Sequence, residues 1–362
     1  MSANFDLSNL ALKAVCPNNE ILYDDKDKPS IMVRIPKMTY AQLGLGSSQA
    51  THPAFIVSGQ EVDAIYISKY QNIVKDGRAY SLPGVDPKAN ITLDAAITAC
   101  TAKGSGWHLM TRAEWAMLAL WCKANGTQPK GNNNYGKDTA DSIYQAIPSM
   151  ARDGQGRIQR VATGTGPLSW SHDGTPSGIR DLNGNVWEWA GGLRTVYGEV
   201  QILANNNAAD SSNSQGATSA QWMAINASDG TLITPNGSGT TTGSVKIDWV
   251  SSRGQFDTSI TTQEDTGRGC TFESVTCSAN IGDAAKLLLQ ALGLFKYDAT
   301  AGAYNGDHFY FNNGAAERAF ICGGYWDSDA RAGVFDVDGD NARSSSYANL
   351  GFRSAYCVLP TL

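Results

Sequence analysis

The chain has 362 residues, of which 42% are hydrophobic and 17% charged, with nine Trp and 38 Gly. This composition belongs to a globular protein with a large core and many turns, long enough for two domains or for one domain with long insertions. A net charge of -6 leaves no basic footprint and excludes nucleic acid and anionic membranes as expected partners.

The opening MSANFDLSNLALKAV lacks an apolar run as long as a signal-peptide core, and no later stretch reaches the ~20 apolar residues of a spanning helix. A soluble chain without a classical signal peptide and without membrane insertion is expected. Residues 1–50 include LYDDKDKPSIMVRIPKMTYAQLG, in which VRI alternates apolar and polar. They read either as a leading strand pair of the main domain or as an attachment segment, with the main domain over 51–362. In TLDAAITACTAKG, Thr92 caps a helix, Leu93, Ala96, Ile97 and Cys100 form its apolar stripe, and Gly104 closes it. GWHLM follows as a short strand. TRAEWAMLALWCKANG repeats the helical stripe at Trp115, Leu118, Ala119 and Cys122, with Thr111 and Glu114 as a capping box.

Beyond residue 125 short apolar runs alternate with Gly, Asn, Asp and Ser turns, a pattern of short strands and irregular structure. Residues 199–269 are dominated by Ser, Thr, Asn, Gly and Ala and read as a long polar insertion on one compact core. A further helix is predicted in GDAAKLLLQALGLF, capped by Asp283 and burying Ala284, Leu287, Leu288 and Ala291. The seven cysteines, at scattered spacings, fit reduced and mostly buried thiols, with a Cys270–Cys277 bridge as the alternative. Four His and no CxxC give no zinc pattern, and no cofactor or metal is expected.

RDLNGNVWEWAGG (180–192) combines a tight-turn Asn183-Gly184 with an aromatic strand, Val186-Trp187-Glu188-Trp189. Glu188 reads as a structural carboxylate satisfied by backbone donors; a metal ligand or acid is the alternative. Together with GWHLMTRAEW (106–115), GGYW (323–326) and GFR (351–353), this order of motifs resembles the formylglycine-generating-enzyme type of C-type lectin fold. The family pattern reads GWRLPTEAEWE, DMxGNVWEW, RGGSW and GFR; here Met110 stands for the Pro and Arg112 for the first Glu. The resemblance covers about 55–357 without the polar insertion. It implies an α+β fold of short twisted antiparallel strands, two main helices and much irregular structure.

Fold does not carry function. Oxidases of that family use a pair of cysteines near and after the RGGSW strand to bind copper. Here Gly323-Gly324 is followed by Tyr325, Trp326, Asp327 and Ser328, and no cysteine comes before Cys357. His52, His108, His172 and His308 lack the spacing of a facial iron set.

Residues 318–358 bring a second resemblance, to the variable region of diversity-generating retroelement target proteins, whose pattern runs GGxWxxGxxAGxFxxxxxxARSxSxxNIGFR. In that family, adenine-directed copying rewrites Asn codons to Tyr, Asp, Ser, Arg, Gly, Ala and others. The resemblance implies a framework of Gly323, Gly324, Trp326, Ala332, Gly333, Phe335, Ala342, Arg343, Gly351, Phe352 and Arg353. Between them lie ten positions implied to vary and to bind ligand: Tyr325, Asp327, Ser328, Asp329, Arg331, Asp336, Asp338, Asp340, Ser345 and Tyr347. Asn349 is a further candidate. Such an arrangement is that of a paratope, a rigid scaffold displaying rings, hydroxyls and charges.

Five aspartates in the segment lead to the expectation of an acidic patch on one face. DVDGDN (336–341) matches the first positions of a calcium loop but has Asn341 and Tyr347 where Gly and Glu are required, so the similarity is accidental. The expected function is hypervariable recognition, without catalysis, of a protein or glycan on a host or target cell. The expected setting is a phage or prophage tail or a bacterial surface, and the expected state is monomeric. The alternative is a formylglycine-generating-type oxidase or a catalytically inactive structural relative.

Overall fold

The computed structural model describes residues 6–359; residues 1–5 of the opening stretch and 360–362 lie outside the described residues. Helix α1 (Leu7–Val15) starts where Asp6 accepts a hydrogen bond from the Asn9 amide. After it, Asn19–Tyr23 pairs antiparallel with Pro29–Pro36, so the alternation around VRI builds a leading strand pair. Val33 and Ile35 turn into the core while Arg34 stays outside, as a period of two demands. The pair continues through Ala64–Ser68 to Ser354–Tyr356 and Trp107–Leu109 in a five-stranded sheet. A strand from the end of the chain therefore lies between two strands from its first third.

Helix α2 (Leu93–Thr101) is capped by Thr92 and buries Leu93, Ala96 and Cys100 of the predicted stripe. Helix α3 (Arg112–Asn125) carries the full Thr111–Glu114 capping box and ends at Gly126, whose φ of +66° suits glycine. Nearly all of α3 is buried, which makes it the central helix. Helix α4 (Asp283–Ala291) departs from expectation on two counts. Gly282, not Asp283, is its N-cap and makes no side-chain bond, and the buried residues are Ala285, Leu289 and Ala291 while Ala284 is exposed. The run Ala284, Ala285, Leu287, Leu288, Leu289 is apolar on two adjoining faces, so periodicity left the phase open and burial in the main core selected it.

The second sheet has twelve strands. Its central path runs Arg268–Thr271, His308–Phe311, Val337–Asn341, Arg318–Cys322, Trp187–Val196, Glu199–Ile202. It continues into Lys246–Val250 and Arg253–Asp257, which place Ile247 and Phe256 in the same core as Trp115 and Leu118. The polar stretch 199–269 thus sends Val200, Ile202, Ile225, Val245, Ile247 and Phe256 into the common core, while Leu203, Ala208 and Trp222 form a small cluster of their own. Four helices, many short strands and no closed barrel among the described residues define an α+β fold.

The four motifs converge on one buried knot. Arg353 donates from Nε to Glu188 Oε2 (2.7 Å) and from a terminal nitrogen to Glu188 Oε1 (2.6 Å), with both side chains almost fully buried. The same guanidinium donates to the Ser68 and Arg180 carbonyls at 2.9 and 3.0 Å. Gln71 Nε2 adds a bond to Glu188 Oε1 at 3.0 Å. Glu188 is structural, as expected, but its partners are side chains rather than backbone donors. Trp115 Nε1 donates to the Val334 carbonyl, and Gly184 N to the Gly323 carbonyl, each at 2.8 Å. Arg112 lies buried at the end of α4, donating to the Leu292 and Gly293 carbonyls at 2.8 and 2.5 Å.

All seven cysteines are free, Cys270 and Cys277 included. Burial pushes the Cys322 thiol up to about 11 and the Cys357 thiol up to about 12, so both are neutral at pH 7 and poor nucleophiles.

Candidate functional site

The segment 323–349 is anchored at both ends by the knot and in its middle by strand 337–341. That strand pairs parallel with 308–311 and antiparallel with 318–322. Its burial alternates: Val337, Gly339 and Asn341 face inward, Asp338 and Asp340 outward. The neighbouring strand repeats this, with Phe309 and Phe311 in the core and His308 and Tyr310 turned out. Two glycines show why framework positions tolerate no side chain. A Cβ on Gly333 would stand 2.1 Å from the Asp307 carboxylate, and one on Gly324, whose φ is +80°, would stand 2.4 Å from Ala332 Cβ. Trp326, Phe335 and Phe352 are buried. Arg343 is tied to Asp94 at 2.7 Å and to Glu317 at 3.0 Å.

Over the outer face opens a cavity of about 390 Å³. Six of the ten sequence-derived positions line it: Tyr325, Ser328, Arg331, Asp336, Asp338 and Tyr347; Asn349 does too. The Tyr325 ring stacks on Trp187 at 6.4 Å between centroids, and Tyr347 is 53% exposed at the rim. Arg331 is exposed and makes no ion pair among the described residues; its Nε donates to the Ser328 carbonyl at 3.3 Å.

The remaining four positions do not line it. Asp340 pairs with Arg318 at 3.2 Å, and Asp329 is exposed on the turn. Asp327 stands beside Tyr135, whose phenol burial first and Asp327 second push up to about 12. Ser345 lies within 3.4 Å of the Tyr347 hydroxyl. The five aspartates therefore do not form one acidic patch. Asp327 and Asp329 lie on the turn before the strand, Asp340 shares the outward face with Asp338 but is engaged by Arg318, and only Asp336 and Asp338 share the cavity.

Two of the ten are not displayed. Ser328 is buried because its hydroxyl accepts the Tyr325 amide at 3.1 Å and closes the turn. Asp336 is only 1% exposed, and its Oδ2 has no hydrogen-bond partner. Burial, then the Asp307 and Asp338 carboxylates, hold its acid well above the usual range, with Arg331 opposing them. Burial chiefly pushes Asp338 up to about 7, although its Oδ1 accepts the Asp340 amide at 2.8 Å. His308 is lowered by burial and by Arg331. Among the described residues no group of three or more His, Cys, Asp or Glu is disposed to hold a metal ion.

Sequence reasoning missed Trp187, His308 and Tyr310 as cavity walls. The alternation in HFYF signalled two outward residues, but nothing in the sequence tells that this strand lies beside 337–341.

No family model and no curated protein matches the chain. Similar solved structures include PvdO from Pseudomonas aeruginosa, with 13% identity and a TM-score of 0.37 over 94% of this chain and 98% of that one. Treponema denticola variable protein 1 has 13% identity and a TM-score of 0.35 over 94% and 99% of the two chains. The Major Tropism Determinant U1 variant has 10% identity and a TM-score of 0.30, covering 90% of this chain and 63% of that one.

Proposed function

We propose that this protein is a hypervariable ligand-binding protein diversified by a retroelement, and that residues lining the cavity between Tyr325 and Tyr347 contact its target. One observation carries the reading. Six of the ten positions reachable by adenine-directed rewriting line a single cavity, while Trp326, Ala332, Gly333 and Phe335 between them are buried. Change at the first set alters what the surface presents; change at the second would disturb packing. The partner is a macromolecule on a host or target cell, engaged from a phage tail or a bacterial surface.

Binding without chemistry is the function favoured by Cys322 and Cys357, the cysteines that flank the 323–353 segment, both buried and neutral. Conversion of a sulfatase peptide cysteine to an aldehyde by the purified protein would displace this reading. The direct test is the neighbouring DNA. A near-copy of the stretch encoding 318–357, differing at adenines and lying beside a reverse-transcriptase gene, is expected. In parallel, alanine at Tyr325, Asp336 and Tyr347 should abolish adsorption to the target while alanine at Ser48, on a remote exposed loop, leaves it intact. Adsorption unchanged by the first set would leave the protein a structural component.

A further inference from the structure

The cavity holds a feature that a generic recognition surface does not need. Asp336 is buried, lines the cavity, and keeps Oδ2 without a donor. A buried carboxylate oxygen without a partner is costly, and native structures rarely retain one. The titratable and charged groups near it are Asp307, Asp338 in the strand that follows it and Arg331 at the rim; His308 and Tyr310 come from the adjoining strand. Asp307 and Asp338 favour its neutral acid form and Arg331 opposes them. Around the opening stand the rings of Trp187, Tyr310, Tyr325 and Tyr347. Aromatic faces attract organic cations, and most strongly where water is excluded.

We infer that the cavity takes the cationic head of a lysine or arginine side chain of a partner protein, which supplies the missing donor to Asp336 and lies between the aromatic walls. This rests on the reading of the face as a binding surface and adds the chemical class of its ligand. An ammonium has three donors and a guanidinium five, so either satisfies Asp336 and still reaches Asp338. A neutral hydroxyl ligand such as a glycan could donate too, but brings no charge that would favour ionisation of the two acids. Arg331 at the rim then meets a carbonyl or acidic group beside the inserted side chain. Because the acids are held neutral in the free protein up to near pH 7 at Asp338, inserting a cation expels a proton, and binding strengthens as pH rises through that range.

Ligand-detected saturation-transfer NMR on the full chain with Nα-acetyl-lysine amide and Nα-acetyl-arginine amide tests this, with the norleucine and glutamate amides as controls. Saturable binding of one or both cations is expected at pH 8, roughly tenfold weaker at pH 5.5, and absent for the controls. Asp336→Asn should abolish it, whereas Asp340→Asn, on a carboxylate already paired with Arg318, should retain it. Arg331→Ala changes only an exposed residue and should tighten binding by roughly threefold, which keeps the test decisive if Asp336→Asn fails to fold. Equal binding of norleucine or glutamate amide, no cation binding at all, or tightening at low pH would overturn the inference. If target adsorption still depends on Tyr325 and Tyr347 in that event, the cation falls and the binding face stands. If adsorption is indifferent as well, both fall.

Discussion

Two buried carboxylates flank the same strand, Arg318–Cys322, and meet opposite fates. Glu188 lies across from Cys322 on one neighbouring strand, and Asp336 directly precedes Val337, the partner of Cys322 on the other. Each is about 1% exposed. Glu188 receives two bonds from Arg353 and one from Gln71. Asp336 has an oxygen with none. A carboxylate buried with its cation holds the fold in a single arrangement; one buried without a cation is held as the neutral acid. The first belongs to a motif shared across the resembling pattern, the second to a position implied to vary.

The comparison breaks most severely at the cation. Arg353→Met leaves Glu188 buried and unpaired, and urea melts should show a loss of about 3–5 kcal/mol; a loss near zero would make the knot ornamental. Gly333→Ala drives a methyl into the Asp307 carboxylate near Asp336, and should cost about 1–3 kcal/mol in the same melts. An unchanged midpoint would show the Gly333–Asp307 contact to be soft rather than packed.

Asp338→Asn sharpens the contrast through pH. Its folded value near 7 exceeds the ordinary 3.8, so its contribution to stability is full below pH 3.8 and is lost as pH rises through 7. The Asn variant should match the parent at pH 4 and exceed it at pH 8 by about 1–2 kcal/mol, the partial exposure of the site reducing the full linkage value. Equal stability at both pH values would show that the acid is not perturbed. The smallest effect belongs to Asp340→Asn, which loses a partly solvated pair with Arg318 and should cost under about 1 kcal/mol in thermal melts. A larger loss would move Asp340 from the displayed set into the framework.

Much of this was legible before any coordinates. The Thr111–Glu114 capping box, the stripe of α2 and the order of the four motifs are local signals, each written within a few residues and read by period and cap chemistry. Within 323–353, it was the resemblance to the retroelement-target pattern that implied the division into two sets. Helix α4 shows where local reading fails, since an apolar run without a polar edge does not state which face is inward. The polar stretch 199–269 shows another failure, because an average over seventy residues conceals the few positions such as Val200, Ile247 and Phe256 that carry it into the core.

The sequence by itself determined helices α2 and α3 with their caps and the order of the four motifs, and its resemblance to a known pattern implied which side chains of 325–347 lie outside the framework. Only the tertiary structure decided that the aspartates part company, that His308, Tyr310 and Trp187 wall the cavity, and that Asp336 is buried without a donor. The physical reason is range. Caps, turns and periodicity act within one or two turns of chain, whereas the state of a buried charge depends on neighbours brought in by strand pairing from positions as distant as 187 and 308.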